Sequence, residues 1–409
     1  MQTKKLRSIL EHAYENVAFY HQKFNMAKVK PSDIKSLEDL DKIPVLTKSE
    51  VQRNFDSLIS RGIVKERCNR EETSGTTGIP LSVIAEKRVS YLMTANKLRH
   101  YAENGGKLFR DRYVVLLPSF KPLKMTHLGV CLRKLGILKK VNMNTRYPIE
   151  NIINRLVDLK PEAIDSYPSF LLLLARELEK IGNVIQPRLV FVGGELLDVR
   201  SRRLISSSFE AELFDTYGCT EAGFVAWECS EHVGYHTNVD LVVAEFVKDG
   251  EHVAAGESGE VILTPLWNYA MPLIRYKIGD IGTPSGESCP CGRGLPLMKV
   301  LEGRFEDFII LPTGRIVSPL VTSCYFEGIE GITEYKVIQE RMDRIIVQIV
   351  LKEGYGDDTL LQIEDRFIKG FGEEIKIDFE VVDTIPRDGK FRRVVSKCLP
   401  RERLSQFSS

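Results

Sequence analysis

The spacing of apolar residues changes along the chain, and each change predicts a different kind of element. Residues 1–60 are charged with apolar positions that read as helical, broken at VKPSDIKSLEDLDKIPVLTKSEV, where Ser32 and Thr47 read as helix N-caps with Pro31 and Pro44 just ahead of them. RYVVLLPSF (112–120) is a short β-rich run, read as a buried strand and a following loop. YPIENIINRLVDLKP (147–161) has apolar residues near helical spacing and stops at Pro161. AIDSYPSFLLLLARELEKIGN reads as a strand, a turn and a helix ending at Gly182, and PRLVFVGGELLDVRSRRLISSSF as a strand, a Gly-Gly turn and another helix. AELFDTYGCTEAG is a strand and then a loop. Short strands alternating with helices predict a large layered α/β domain with a largely parallel sheet.

The pattern changes after residue 235. VDLVVAEFV, GEVILTPL and PLIRYKIGDIGT are β-rich with turn residues between them and predict a mainly antiparallel β subdomain. RFEDFIILPTGRIVSP opens a new section, with a hairpin signal at Pro312-Thr313-Gly314. YKVIQERMDRIIVQIVLKE holds two alternating strands, TLLQIEDRFIKGFG an amphipathic helix, and IKIDFEVVD a further strand. These make a small α+β domain. With the boundary at 303–306, the expected domains are 1–304 and 305–409.

A chain of 409 residues exceeds one ordinary core, in keeping with two domains. The 43% of hydrophobic and 28% of charged residues suit a globular protein in water, and a formal net charge of +1 gives no support to a nucleic-acid partner. No apolar run reaches the roughly 20 residues of a membrane span; FLLLLA (170–175) is the greasiest stretch and is closed by Arg176 and Glu177. The opening MQTKKLRSILEHAYENVAFYHQKF lacks a long apolar core, so no signal peptide is expected and the cytoplasm is the expected compartment. In that setting Cys68, Cys131, Cys219, Cys229, Cys289, Cys291, Cys324 and Cys398 point to thiols or a metal site rather than a disulfide framework.

Candidate chemistry begins at TSGTTGIP (73–80), a loop of hydroxyls and glycines that packs no core and suits a phosphate. A Walker loop would need a lysine after its last glycine to neutralise the outer phosphates, but Gly78 is followed by Ile79 and Pro80. GGE (193–195), TYGCTEAG (216–223) and IRYKIGD (274–280) lie further along. Segments that follow strands of a parallel sheet gather at the strands' carboxyl ends, where ligands bind. A glycine turn can admit a flat base, Tyr217 can stack on it, Asp280 can accept from both ribose hydroxyls, and Glu221 can hold Mg2+. Together they describe a nucleotide site without a Walker lysine.

The set TSGTTGIP, GGE, TYGCTEAG, RYKIGD, GRFEDFIILPTGRIVSP and PRDGK, in order from about residue 70 to 397, resembles the adenylate-forming superfamily of acyl-CoA synthetases, adenylation domains and luciferases. The short N-terminus and the CPCGR insert are most similar to its phenylacetate–CoA ligase-like branch, with capsule-biosynthesis adenylating proteins and coenzyme F390 synthetase-like proteins. The resemblance implies activation of a carboxylic acid by Mg-ATP to an acyl-adenylate and pyrophosphate, followed by displacement of AMP, usually by the thiol of CoA. An amine, or a coenzyme that itself receives AMP, is the alternative acceptor. A non-catalytic binding protein on this scaffold would not need Glu221, Asp280 and Lys390 together.

By the same resemblance, Thr73, Ser74, Gly75, Thr76, Thr77 and Gly78 would close over the outer phosphates, and Thr220 would contact the α-phosphate. Tyr217, beside Gly218, and the turn Gly193-Gly194-Glu195 would flank adenine; Asp280 would hold the ribose, with Arg304 a further ribose or phosphate contact. Glu306, beside Asp307, falls at the hinge about which the small domain would move, where many members carry Asp. Lys390 matches the family's mobile lysine, which offsets the charge built up in adenylation. His127 and Tyr167 are candidates for lining an acid pocket suited to an aromatic or medium-sized acid. The partners implied are small molecules, for a monomer or homodimer.

WECSEHVGYHTNVD offers Cys229, His232 and His236, and SCPCGRG offers Cys289 and Cys291. Three cysteines and one histidine satisfy tetrahedral zinc, structural because four protein ligands leave no open position. Similar proteins with the CPCGR insert pair it with a Cys…Gly-x-His segment, which favours His236; His232, at C-x-x-H spacing, is the alternative.

Overall fold

The apolar runs at Arg112–Leu117, Ala163–Ser166 and Leu189–Gly193 are parallel strands, joined by Lys139–Asn144 at the edge beyond Arg112–Leu117. Val114, Leu116, Ile164, Val190 and Val192 are buried there, as near-continuous apolar strands of a parallel sheet must be. Helix Pro168–Ile181 starts on a proline that needs no N–H partner and sets Leu171, Leu174 and Leu178 on the face that joins this core. It stops where the sequence predicts, on Gly182 with φ +78°. Helix Ile149–Leu159 likewise ends just before Pro161. Helix Val199–Phe209 is capped by Asp198, which accepts from the Ser201 amide at 2.8 Å.

These elements come from a computed structural model that describes residues 1–72, 81–117, 139–182, 185–304, 307–313, 315–317, 319–371, 375–386 and 391–398 (the side chains of 300–304, 316, 320 and 324 excepted). The chain forms two compact units, Met1–Gly105 with Thr216–Leu301, and Gly106–Asp215 with Glu302–Ser409.

The parallel strands lie in the second unit, together with a four-stranded sheet in the order Lys376–Val381, Arg344–Leu351, Ile332–Arg341, Val394–Ser396. Its central pair is antiparallel and both outer strands run parallel to their neighbours. Helix Asp357–Phe371 adds Ile363, Phe367 and Phe371 to the core that holds Phe326 and Tyr335. The hairpin signal is met by Ile309–Ile310 pairing with Ile316–Val317.

In the first unit the charged N-terminal run forms helices Gln2–Asn16 and Ala18–Ala27. Leu6, Ile9, Leu10 and Ala13, at three- and four-residue spacing, share a core with Val242, Val261, Leu263 and Tyr276. Val242–Lys248, Gly259–Pro265 and Tyr276–Ser285 are antiparallel neighbours, as the alternation predicts. Thr47 is an N-cap in a reciprocal box: its hydroxyl accepts from the Glu50 amide at 3.3 Å and its amide donates to Glu50 Oε2 at 2.8 Å. Ser32 is not one. Pro31 takes the first position of a short 3-10 turn, Pro31–Asp33, and the Asp33 carboxylate reaches back to the amide of Lys30, which holds the cap position. TYGCTEAG also departs from the expected loop: the strand runs on through Thr216–Cys219, and Gly223–Glu228 is a strand that folds back on it. Among the described residues no helix is long and apolar enough to cross a membrane.

Candidate active site and metal centre

Strand Glu212–Cys219 and strand Gly223–Glu228 are joined by a tight turn at Thr220-Glu221-Ala222, and two glycines make that turn possible. A Cβ on Gly218 would lie 2.5 Å from the Gly223 carbonyl oxygen, and Gly223 itself has φ +72°. The turn exposes Thr220 and buries Glu221. The Tyr276 hydroxyl donates to Glu221 Oε1 at 3.1 Å, and the Tyr217 hydroxyl donates to Asp280 Oδ2 at 2.8 Å. Each motif thus supplies a phenol to the other's carboxylate, TYGCTEAG through Tyr217 and IRYKIGD through Tyr276. Tyr276 is in turn fixed by the main chain around it: the Leu46 amide donates to the Arg275 carbonyl at 2.8 Å and the Lys277 amide to the Leu46 carbonyl at 2.9 Å. Arg275, buried and with φ +52°, pairs with buried Glu245 at 2.9 Å. Burial, with Glu221 nearby, holds the Cys219 thiol well above its ordinary range.

In the second unit the Gly-Gly turn follows strand Leu189–Gly193, with Gly194 at φ +78°. The Glu195 carboxylate accepts from the Ser169 amide and hydroxyl, both at 3.0 Å, and from the Phe391 amide at 2.8 Å. Burial raises its pKa against those hydrogen bonds. Tyr167 occupies the cap position of helix Pro168–Ile181; burial, then the Glu195 and Asp165 charges, keep its phenol protonated. The loop residues Thr73, Ser74, Gly75, Thr76, Thr77 and Gly78, with His127, Glu306 and Lys390, lie outside the described residues, as does the side chain of Arg304.

The cysteine segments meet. Ligand atoms of Cys229, His236, Cys289 and Cys291 all lie within 4.8 Å of one another, with Cys229 Sγ 3.6 Å from Cys289 Sγ and Cys291 Sγ 3.3 Å from His236 Nε2. Bond lengths to tetrahedral zinc imply ligand–ligand edges of about 3.5–3.8 Å. His236 rather than His232 joins the set: His232 has φ +49° and faces Glu228 at 3.5 Å. Cys229 follows strand Gly223–Glu228, His236 lies in Tyr235–Thr237, and Cys289 and Cys291 sit in the connection leading to Leu297–Arg304, which pairs with Tyr235–Thr237. Burial, together with the neighbouring sulfurs of Cys289 and Cys291, pushes the Cys229 thiol up to about 12. A bound cation would reverse that and take the thiolate. Cys68, Cys219 and Cys398 also form no disulfide.

The chain belongs to the AMP-binding enzyme family, whose model matches residues 5–265, and the CapK C-terminal domain model matches residues 309–397. It is 26% identical over 421 residues to the phenylacetate-coenzyme A ligase of Thermus thermophilus, covering 97% of this chain and 88% of that protein. It is 23% identical to Protein CapK of Staphylococcus aureus, over 94% of this chain and 86% of that one. Its fold matches 2-hydroxyisobutyryl-CoA ligase in the postadenylation state with 2-HIB-AMP, with TM-score 0.81 and 20% identity over 99% of this chain and 90% of that one. Against that ligase in the thioesterification state the TM-score is 0.66, with 20% identity over 99% and 91%. The family expected from the motifs is the family found.

The motifs do not by themselves point to the hydrogen bond from Tyr276. Tyr276 stands inside a motif already singled out, yet nothing in the spacing pairs it with Glu221.

Proposed function

We propose that this protein is an AMP-forming acid–thiol ligase that activates an aromatic or medium-sized carboxylic acid and transfers it to CoA. A carboxylate oxygen attacks the α-phosphorus of ATP as the bond to the β-phosphate breaks, releasing pyrophosphate. The CoA thiol then attacks the acyl carbon, and the bond to AMP breaks. The observation that carries this reading is the crossed pair Tyr217–Asp280 and Tyr276–Glu221, in which two acids are held ready within a chain of the AMP-binding enzyme family.

In this reading Asp280 receives the ribose, Thr220 the α-phosphate, and residues 73–78 the outer phosphates. Glu221 would hold the Mg2+ that accompanies ATP, which supplies charge neutralisation at the phosphates. Residues 305–409 bring Lys390 to the site and turn about Glu306 between the half-reactions. Zinc at Cys229, His236, Cys289 and Cys291 is structural, and the cytoplasm is the compartment that suits these thiols.

The test is pyrophosphate release from Mg-ATP across a panel of acids led by phenylacetate, with AMP release followed as CoA is added. Acid-dependent pyrophosphate and CoA-dependent AMP are expected. A protein that releases neither with any acid, or releases AMP only with an amine, would refute the assignment. Tyr276→Phe keeps the ring and removes the donor to Glu221. It is expected to raise the Mg2+ concentration for half-maximal pyrophosphate release by about tenfold with ATP affinity little changed, as loss of an outer-shell partner does. An unchanged Mg2+ dependence would remove Tyr276 from the site.

A further inference from the structure

The stretch Glu195–Arg200 grips the segment that follows Lys390 in a way no part of the chemistry above requires. Glu195 accepts from the Phe391 amide at 2.8 Å. Asp198, with 2% of its surface exposed, accepts from the Ser201 amide at 2.8 Å and Ser201 hydroxyl at 3.0 Å and pairs with Arg393 at 3.1 Å. Arg393 is itself nearly buried and lies over the Tyr335 ring, 5.3 Å from its centroid. Its carbonyl accepts from the Val337 amide at 2.7 Å, which stitches the segment to the four-stranded sheet. Arg392 pairs with Asp307, next in sequence to Glu306. From the other direction Arg200 donates to the Phe326 carbonyl at 3.1 Å and the Ile332 carbonyl at 2.5 Å.

We infer that Glu195 and Asp198 form a latch that docks the segment Phe391–Arg393 on the Gly-Gly turn and thereby positions Lys390 for adenylation. The inference rests on the ligase reading, in which Lys390 serves the first half-reaction. Phe391 is bonded to Lys390, so anchoring its amide and the guanidinium two residues on restricts where Lys390 can reach. An apolar contact would hold two parts together more cheaply. A buried ion pair gains little net stability against desolvation, yet removing one partner leaves a charge stranded. That makes the docked arrangement selective in register, and it places the anchor on the very turn assigned to the nucleotide. Asp198 and Arg393 are therefore positioning residues. Releasing them should slow only the step that needs the lysine in place.

The test uses Asp198→Asn, which keeps an acceptor for the helix cap, Arg393→Gln, and the double variant. ATP–pyrophosphate exchange with phenylacetate is compared with thioester formation from supplied phenylacetyl-adenylate and CoA. Hydrogen exchange at the Phe391 amide is followed without any substrate. Each single change is expected to slow pyrophosphate exchange by roughly tenfold or more. The double should be no worse than the worse single, thioester formation should stay within about twofold, and the Phe391 amide, slow in the native protein, should exchange faster. Equal loss of both half-reactions, additive losses, or a Phe391 amide that is unprotected from the start would overturn the latch. A native protein that protects Phe391 yet exchanges pyrophosphate with no acid overturns the ligase reading, and with it the purpose assigned to the latch.

Discussion

Lys390→Ala is expected to lower ATP–pyrophosphate exchange by roughly 10²–10³-fold while thioester formation from a supplied acyl-adenylate stays within about twofold of the native rate. When a carboxylate attacks the α-phosphorus, negative charge gathers on oxygens that must approach one another. A P-loop answers with a lysine inside the loop, but here Gly78 is followed by Ile79 and Pro80. The compensating cation has to come from elsewhere, and PRDGK places a lysine directly after a glycine in the C-terminal section. In the second half-reaction a thiol attacks an acyl carbon already activated by AMP, and no second anion meets the phosphate. Measuring the half-reactions separately decides the matter: equal losses in both would mean that Lys390 supports the fold or the nucleotide and not adenylation.

Cys289→Ser, or a change at any of the other three clustered ligands, is expected to abolish stoichiometric zinc and cost several kcal/mol of stability. Buried Cys229 and Cys289 pack with Trp227 and Leu297, so the site staples the 289–291 connection to two strands through a small core of its own. Without a cation, close-packed protonated thiols and an imidazole make poor partners. With one, they become thiolates and neutral imidazole satisfied by a single ion. Acid should therefore release the metal, since protons compete for the same atoms. His232→Ala, which keeps the amide that donates to the Cys229 carbonyl, and Cys398→Ser, outside the cluster, are expected to keep full zinc in elemental analysis and to melt near the native temperature. A native protein with no zinc, or a His232 variant that loses it, would contradict the assignment.

Much of this was readable in the sequence, and for reasons that can be named. Continuous apolar runs such as Val114–Leu116 and Leu189–Val192 have one comfortable home, a strand covered on both faces. Gly182 and Thr47 mark helix ends because the local backbone chemistry settles them within a few residues. The cysteine segments were legible because metal-ligand chemistry depends on residue type, and Cys229, His236, Cys289 and Cys291 do come together. Ser32 misled because Pro31 opens the short 3-10 turn, so the cap position falls on Lys30, whose amide donates to the Asp33 carboxylate. The crossed phenols were illegible for a different reason. Tyr217 to Asp280 spans 63 residues and Tyr276 to Glu221 spans 55, and pairing at that range is set by the sheet register and not by local spacing. The same holds for the ion pair of Asp198 and Arg393, which lie far apart in sequence.

Activation of the acid by adenylation is tested most directly by where an oxygen atom goes. With the acid labelled with 18O in its carboxylate, Mg-ATP and CoA, attack on the α-phosphorus transfers one carboxylate oxygen to the nucleotide. AMP carrying a single 18O is expected, in step with thioester formed and pyrophosphate released. Label recovered in inorganic phosphate with ADP, or AMP formed without label, would contradict it.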